Sequence, residues 1–339
     1  MKPGKDWFYP YYRDAALTIG LGVTSKDHLL GFLARKDDKA SGGRQLPQHF
    51  GDKDLRIVSQ SSSTGTQFLN AVGTALTRKW EGVLTGKGYG WGGSLIRPEA
   101  TGYGQVYFLR EMLASKGDSI EGKKCAISGS GNVAQYCAKK GLSYGGKVIT
   151  MSDSGGYIFD KDGIDEDKLA WIMDLKNNRR GRIKEYVSEY TGAVYHEGKR
   201  PWGENCDIAL PSATQNEIEE KGAKNLVKNG CLAISEGANM PTSPAAYEIL
   251  SKAGILFGPA KAANAGGVAV SALEMSQNAA FDEWTSEKVD SKLDKIMTGI
   301  HQQCSDAAEE YNQKGDLVVG ANIAGFIKVA NAMMSQGVV

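Results

Sequence analysis

From about residue 100 onward, short apolar runs alternate with stretches in which apolar side chains recur every three or four positions. CAIS (125–128), KVITMSD (147–153), AVYHE (193–197), CDIALP (206–211) and GCLAIS (230–235) read as strands. TGYGQVYFLREMLASKG (101–117) reads as a helix, with Pro98 near its start as an N-terminal signal. DEDKLAWIMDLKNN and RIKEYVSEY read as helices, and GYIFDKDGI as a short extension or hairpin. Two further helices close the chain: SEKVDSKLDKIMTGIHQQCSDAAEEYNQKG and ANIAGFIKVANAMMSQG. Their apolar stripes read as packing surfaces. Alternating strands and helices predict an α/β fold of Rossmann type, a doubly wound parallel sheet with helices on both faces.

The first strand leads into Gly129-Ser130-Gly131-Asn132-Val133-Ala134, a G-x-G-x-x-A pattern in strand–turn–helix context. Gly129 allows the tight turn, Gly131 lets the backbone approach a pyrophosphate, and Ala134 lets the helix pack on the strand. The open N–H groups of the new helix then face the phosphates. The second strand ends at Asp153, 22 residues beyond Gly131, where an acidic side chain can meet a ribose.

Composition changes this picture in one respect. The 339 residues, enough for two or three domains, are 41% hydrophobic and 23% charged, with a net charge of +1. No nucleic-acid or membrane partner is implied, and no apolar run approaches the roughly 18–20 residues of a membrane span. The first residues lack the apolar centre of a signal peptide. Cys125, Cys137, Cys206, Cys231 and Cys304 are scattered, so neither a disulfide framework nor a metal site is expected, and a cytoplasmic location fits. His28, His49, His196 and His301 are far apart. Residues 1–80, however, contain no glutamate and no cysteine, and carry twelve Lys and Arg against seven Asp. That asymmetry predicts two pieces, 1–80 and 81–339.

Six motifs follow in order within the later piece: GVLTGKGYGWGGSLIRPEATGYG (82–104), GSGNVAQY (129–136), SDSGG (152–156), PSATQNEI (211–218), ISEGANMPT (234–242) and GPAKAANAGGVAVSALEMSQN (258–278). Together they resemble the cofactor-binding half of hexameric glutamate dehydrogenase. The resemblance implies that Thr101, Asn132 and Val133 meet the cofactor. It implies the same for Gln215 and Asn216, just after a strand end, and for Asn239. Val268 would touch the carbon chain of glutamate or 2-oxoglutarate, and Ser271 would donate to its distal carboxylate. Cofactor choice is open from the residues alone, because an acid such as Asp153 normally selects NAD. SDS resembles the NADP-dependent members, in which a serine (here Ser154) and a downstream lysine (here Lys176) hold the 2′-phosphate. NADP is therefore the expected cofactor, with NAD possible. Arg179 and Arg180 add nearby positive charge.

The family's catalytic lysine, in a GGxKGG motif, and its catalytic aspartate have no counterpart upstream of residue 82, so no catalytic residue is assigned. Lys87, in LTGKG, is the lysine that would have to stand in. Residues 5–79 instead resemble a fragment of the alpha subunit of thiamine-diphosphate-dependent branched-chain 2-oxo acid dehydrogenase. That resemblance rests on Tyr12-Arg13 and on Ser61, Ser62, Thr66 and Gln67, and that family's metal and diphosphate motif does not follow. The sequence reads as a chimera joined near residues 79–82. The expectation is a glutamate dehydrogenase-type chain that is inactive alone. The alternatives are a non-enzymatic NADP-binding module and an incomplete thiamine-diphosphate enzyme. Hexamer formation is doubtful with the N-terminal domain replaced.

Overall fold

The computed structural model describes residues 2, 5–10, 14–41, 51–58, 84–280 and 282–337. They fall into two units. One takes Met1–Leu84 and Asn278–Phe281, the other Thr85–Gln277 and Asp282–Val339.

In the first unit, α1 (Ala15–Gly20) is followed by α2 (Ser25–Phe32). A capping box starts α2. Thr24 Oγ1 accepts from Asp27 N at 3.2 Å, and the Asp27 carboxylate accepts from Thr24 N at 3.0 Å, so two N–H groups at the helix start are satisfied. The core among the described residues is small: Phe8, Leu21, Val23 and Ile57. Trp7, Leu29, Phe32 and Leu33 are exposed.

The second unit is built on seven strands. In chain order its elements are α3 (Ala100–Ala114), β1 (Lys124–Ile127), α4 (Asn132–Ser143), β2 (Lys147–Asp153), β3 (Gly156–Asp160), α5 (Glu166–Asn177), α6 (Tyr186–Glu189), β4 (Ala193–Glu197), β5 (Ile208–Leu210), α7 (Glu220–Lys228), β6 (Ala233–Ser235), α8 (Pro244–Lys252), β7 (Leu256–Gly258), α9 (Ala260–Ala263), α10 (Gly266–Ala280), α11 (Ser286–Glu310) and α12 (Leu317–Gln336). The sheet order is β4-β3-β2-β1-β5-β6-β7. The five strands β2, β1, β5, β6 and β7 are parallel.

The α/β fold is the expected one, and its sheet is mixed at one edge. β3 and β4 run antiparallel at one edge. The cause is local: Asp153 pairs with Gly156, so only Ser154 and Gly155 join β2 to β3. A two-residue link makes a hairpin, whereas a parallel return needs a dozen or more residues. RIKEYVSEY is also less helical than expected, a 3₁₀ turn (Ile183–Glu185) followed by the single turn of α6. β7 was not anticipated.

Alternate residues of the central strands point to opposite faces. Cys125, Ile127, Ile208, Leu210 and Ala233 join a core with Val106, Leu109, Leu293 and Met297, side chains of α3 and α11. Ala126, Ala209 and Ile234 join a second core with Leu226 of α7 and Leu250 of α8. Strands covered on both faces read as continuous apolar runs, the pattern that made them visible in sequence.

α12 packs against α11 over part of its length, closely at Gly320, where a methyl group would run into the Cys304 carbonyl. It buries Leu317 and Gly320 but exposes Phe326, Val329, Met333 and Met334. By length and composition alone its 20 residues match a membrane span, with a mean hydropathy of 1.5 and 11% of that stretch buried. Asn322, Lys328 and Asn331 break the stretch into short apolar runs, which hid it in the sequence.

Candidate functional site

β1 sits where the strand order reverses: β2 lies on one side of it and β5 on the other. Open α/β sheets bind ligands at such a point, in the crevice outside the carboxyl ends of the strands. Gly129 turns the chain into it at φ +85°, a conformation that L side chains rarely adopt. A methyl group at Gly129 would lie 3.0 Å from the Ser212 carbonyl after β5. Its N–H donates to Ser152 Oγ at 2.7 Å, and its carbonyl accepts from Ser152 N at 3.0 Å. The turn is therefore bonded to β2 and closely packed against the segment that follows β5. Gly131 is the N-cap of α4, and a methyl group there would meet open space. No side chain caps α4, so its first N–H groups face the crevice beside exposed Asn132 and half-buried Val133. Asn132 Nδ2 donates to the Pro98 carbonyl, tying α4 to the approach to α3.

At the end of β2, Asp153 does not present a free carboxylate. Its Oδ1 accepts from Gly155 N at 2.8 Å and its Oδ2 from Ile183 N at 2.9 Å. Lys176 Nζ donates to the Gly181 carbonyl at 2.9 Å and stands 3.7 Å from Asp153 Oδ2. The group that reaches Ser154 is Arg182, whose Nη1 donates to the hydroxyl at 2.8 Å. Sequence reasoning missed Arg182; its only signal was its place in the cluster after Lys176. Arg179 pairs with Asp174 at 2.8 Å and stacks on Trp171, so it belongs to the end of α5.

After β5, Gln215 and Asn216 are exposed, with Asn216 at φ +52°. After β6, exposed Asn239 accepts from Asn264 Nδ2 at 2.8 Å, a partner not anticipated. The two loops are stitched together: Asn216 N donates to the Met240 carbonyl at 3.0 Å and Ile218 N to the Pro241 carbonyl at 2.9 Å. Beneath them lie two buried carboxylates. Glu217 Oε1 accepts from Ala213 N at 3.1 Å and Thr214 N at 3.2 Å. Glu236 accepts from Thr242 N at 3.2 Å and Ala260 N at 2.7 Å. Burial pushes both acids above the ordinary carboxylate range, against the lowering pull of these donors.

α10 approaches α3 closely at Gly266, where a methyl group would run into the Ala100 carbonyl. That contact sets Gly267 against Thr101 Oγ1 and brings Ser271 to Arg97, whose Nε donates to the hydroxyl at 2.9 Å. Arg97 is a second residue that sequence reasoning missed. Val268 is 75% exposed. Lys87, the lysine that would have to stand in, is held in an ion pair: its ammonium pairs with Glu274 at 2.8 Å, and the side chains are 8% and 0% exposed. Tyr12, Arg13, Ser61, Ser62, Thr66 and Gln67 lie outside the described residues.

Residues 92–337 match the family model described as Glutamate/Leucine/Phenylalanine/Valine dehydrogenase. The chain belongs to the glutamate/leucine/phenylalanine/valine dehydrogenase family. Within that family it is 58% identical over 264 residues to a glutamate dehydrogenase of Bacteroides thetaiotaomicron, covering 78% of this chain and 59% of the relative. It is 56% identical over 257 residues to an NADP-specific glutamate dehydrogenase of Haemophilus influenzae, covering 76% and 57%. Among solved structures it is similar to Plasmodium falciparum glutamate dehydrogenase 2, with a TM-score of 0.75 and 52% identity over 78% of this chain and 58% of that one. The chain thus spans about three fifths of the length of the family members it matches.

Proposed function

We propose that residues 85–337 are the dinucleotide-binding half of an NADP-linked glutamate dehydrogenase. The observation that carries this reading is the end of β2. Both Asp153 oxygens are engaged by backbone N–H groups, while Ser154 is met by the Arg182 guanidinium at 2.8 Å with Lys176 behind it. An NAD-selective site keeps its carboxylate for the ribose 2′-OH. A hydroxyl beside cations suits a 2′-phosphate, which Arg binds through paired, charge-assisted hydrogen bonds.

The open space at Gly131 and the uncapped N-terminus of α4 fit a pyrophosphate. Asn216, Asn239 and Thr101 would hold the nicotinamide half. When bound, the dinucleotide supplies or accepts a hydride. Arg97 and Ser271 would meet the distal carboxylate of glutamate or 2-oxoglutarate, with Val268 along the carbon chain. A fixed guanidinium and hydroxyl select a dicarboxylic substrate over an apolar amino acid.

The chain carries no lysine in a GGxKGG setting, and Lys87 is held by Glu274. Residues 1–80 are proposed to be a piece of different origin that supplies no acid–base group. The test measures NADPH and NADH affinity by nicotinamide fluorescence, then turnover of 2-oxoglutarate, ammonia and NADPH. NADPH should bind more tightly, with turnover at background. Absence of NADPH binding overturns the reading. Vigorous turnover overturns the assignment of no catalytic residue. Background turnover with tight binding is also what the non-enzymatic module would show. Adding the missing lysine-bearing domain in trans separates the two, because only a dehydrogenase half regains activity.

A further inference from the structure

Building on the dinucleotide reading above, we propose that Glu217 is a positioning residue for cofactor binding: its buried carboxylate presets the loop that carries Gln215 and Asn216. It lies behind the loop, fully buried, and its carboxylate also meets Ser128 at the end of β1.

The geometry is that of a bracket. Ala213 and Thr214 are the turn residues whose N–H groups follow β5, and both donate to one oxygen of Glu217. The side chain is 0% exposed. A carboxylate in such a place loses all its hydration and is sustained only by the donors that replace water. On the far side Trp202 Nε1 donates to the Glu217 carbonyl at 3.0 Å. The Arg200 guanidinium stands 3.7 Å from Oε2 without a hydrogen bond. Glu217 is thus held from behind while it holds the turn in front.

What the bracket holds is a strained loop. Asn216 sits at φ +52°, an uncommon conformation for a residue other than glycine. It persists only where its surroundings over-determine it. Glu217 supplies one restraint, and the bonds to Met240 and Pro241 supply the others. Glu236 performs the matching task one strand along, fastening Thr242 to Ala260 and so fixing the loop of Asn239. A ligand then meets two amide side chains already in place and does not have to order them.

The test uses Glu217→Ala and Glu217→Gln in the full chain. It reads thermal midpoint, hydrogen exchange at Ala213 and Thr214, and NADPH affinity by fluorescence. Glu217→Ala should speed exchange at the two amides and weaken NADPH by about tenfold, the scale of one lost charge-assisted hydrogen bond. Glu217→Gln keeps a carbonyl oxygen for both donors and should restore most of the affinity. A folded Glu217→Ala that binds NADPH like the wild type overturns the proposal. So does a Gln variant no better than Ala, which would assign the effect to the charge facing Arg200. Failure of the wild type to bind NADPH overturns the dinucleotide reading alone. Exchange then decides the bracket, and unchanged exchange at Ala213 and Thr214 in Glu217→Ala overturns it.

Discussion

Arg182 donates to the Ser154 hydroxyl at 2.8 Å across the loop that follows α5, although the two residues are 28 positions apart. The contact is possible because Asp153 accepts from Ile183 N and draws that loop onto the end of β2. An acid at a position that often meets a ribose instead fastens two backbone segments, with both oxygens taken by N–H groups.

Arg182→Ala should weaken NADPH while leaving NADH nearly unchanged. A hydrogen bond to a charged group contributes roughly 1.5–3 kcal/mol, or at least about tenfold in affinity. Fluorescence titration with both nucleotides checks this. Equal losses would remove the 2′-phosphate role. Lys176→Ala should show the same selectivity at smaller size, because its ammonium is committed to the Gly181 carbonyl.

Lys87 and Glu274 form an ion pair with 8% and 0% of their side chains exposed. Lys87→Met strands the carboxylate, which also accepts from Gly86 N at 2.8 Å. Breaking a buried pair on one side costs about 3–5 kcal/mol. Urea unfolding should show that loss, and the Lys87→Met/Glu274→Leu double variant should regain about half of it or more. A single variant as stable as the wild type would contradict the pairing.

The first unit should open more readily than the second. Among the described residues its core is Phe8, Leu21, Val23 and Ile57, whereas the sheet buries two extensive clusters. Segments that bury little apolar surface open at low free energy. Hydrogen exchange should finish in residues 14–41 well before residues 124–150. Matching protection in both would count against two pieces of different stability.

Glu217 and Glu236 are acids whose folded values lie above the ordinary 4.5. The folded state therefore holds protons that the unfolded state releases between 4.5 and the raised values. Each contribution to stability is fully present below pH 4.5 and is lost as pH rises through the folded value. Glu217→Gln cannot titrate, so it should gain on the wild type as pH rises through that window. The slope is at most about 1.4 kcal/mol per pH unit. Denaturant unfolding at several pH values measures it, and a constant difference would show that burial does not raise Glu217.

Much of the parallel core was legible because its constraints are local. β1, Gly129, Gly131 and α4 lie within a score of residues, and each property needed (apolar run, positive φ, small N-cap) is written in the residue that bears it. β7 escaped because three residues, Leu256–Gly258, next to Pro259 read as loop. The antiparallel edge escaped in part because the strand run of β4 carries no mark of its direction.

Partner choice was not legible. Arg97 meets Ser271 across 174 positions, Lys87 meets Glu274 across 187, and Asn264 meets Asn239 across 25. Such pairs follow from the sheet order and from the close crossing of α3 and α10 at Gly266, neither of which leaves a period in the chain. The sequence alone determined where a tight glycine turn opening a helix must form, because sterics and hydrogen bonding within one strand–turn–helix decide it. Only the tertiary structure decided that Arg182 faces Ser154, that Asp153 is an anchor, and that Glu217 lies beneath the Asn216 loop. Those contacts depend on where distant segments are brought together, and burial then fixes which donor each carboxylate must take.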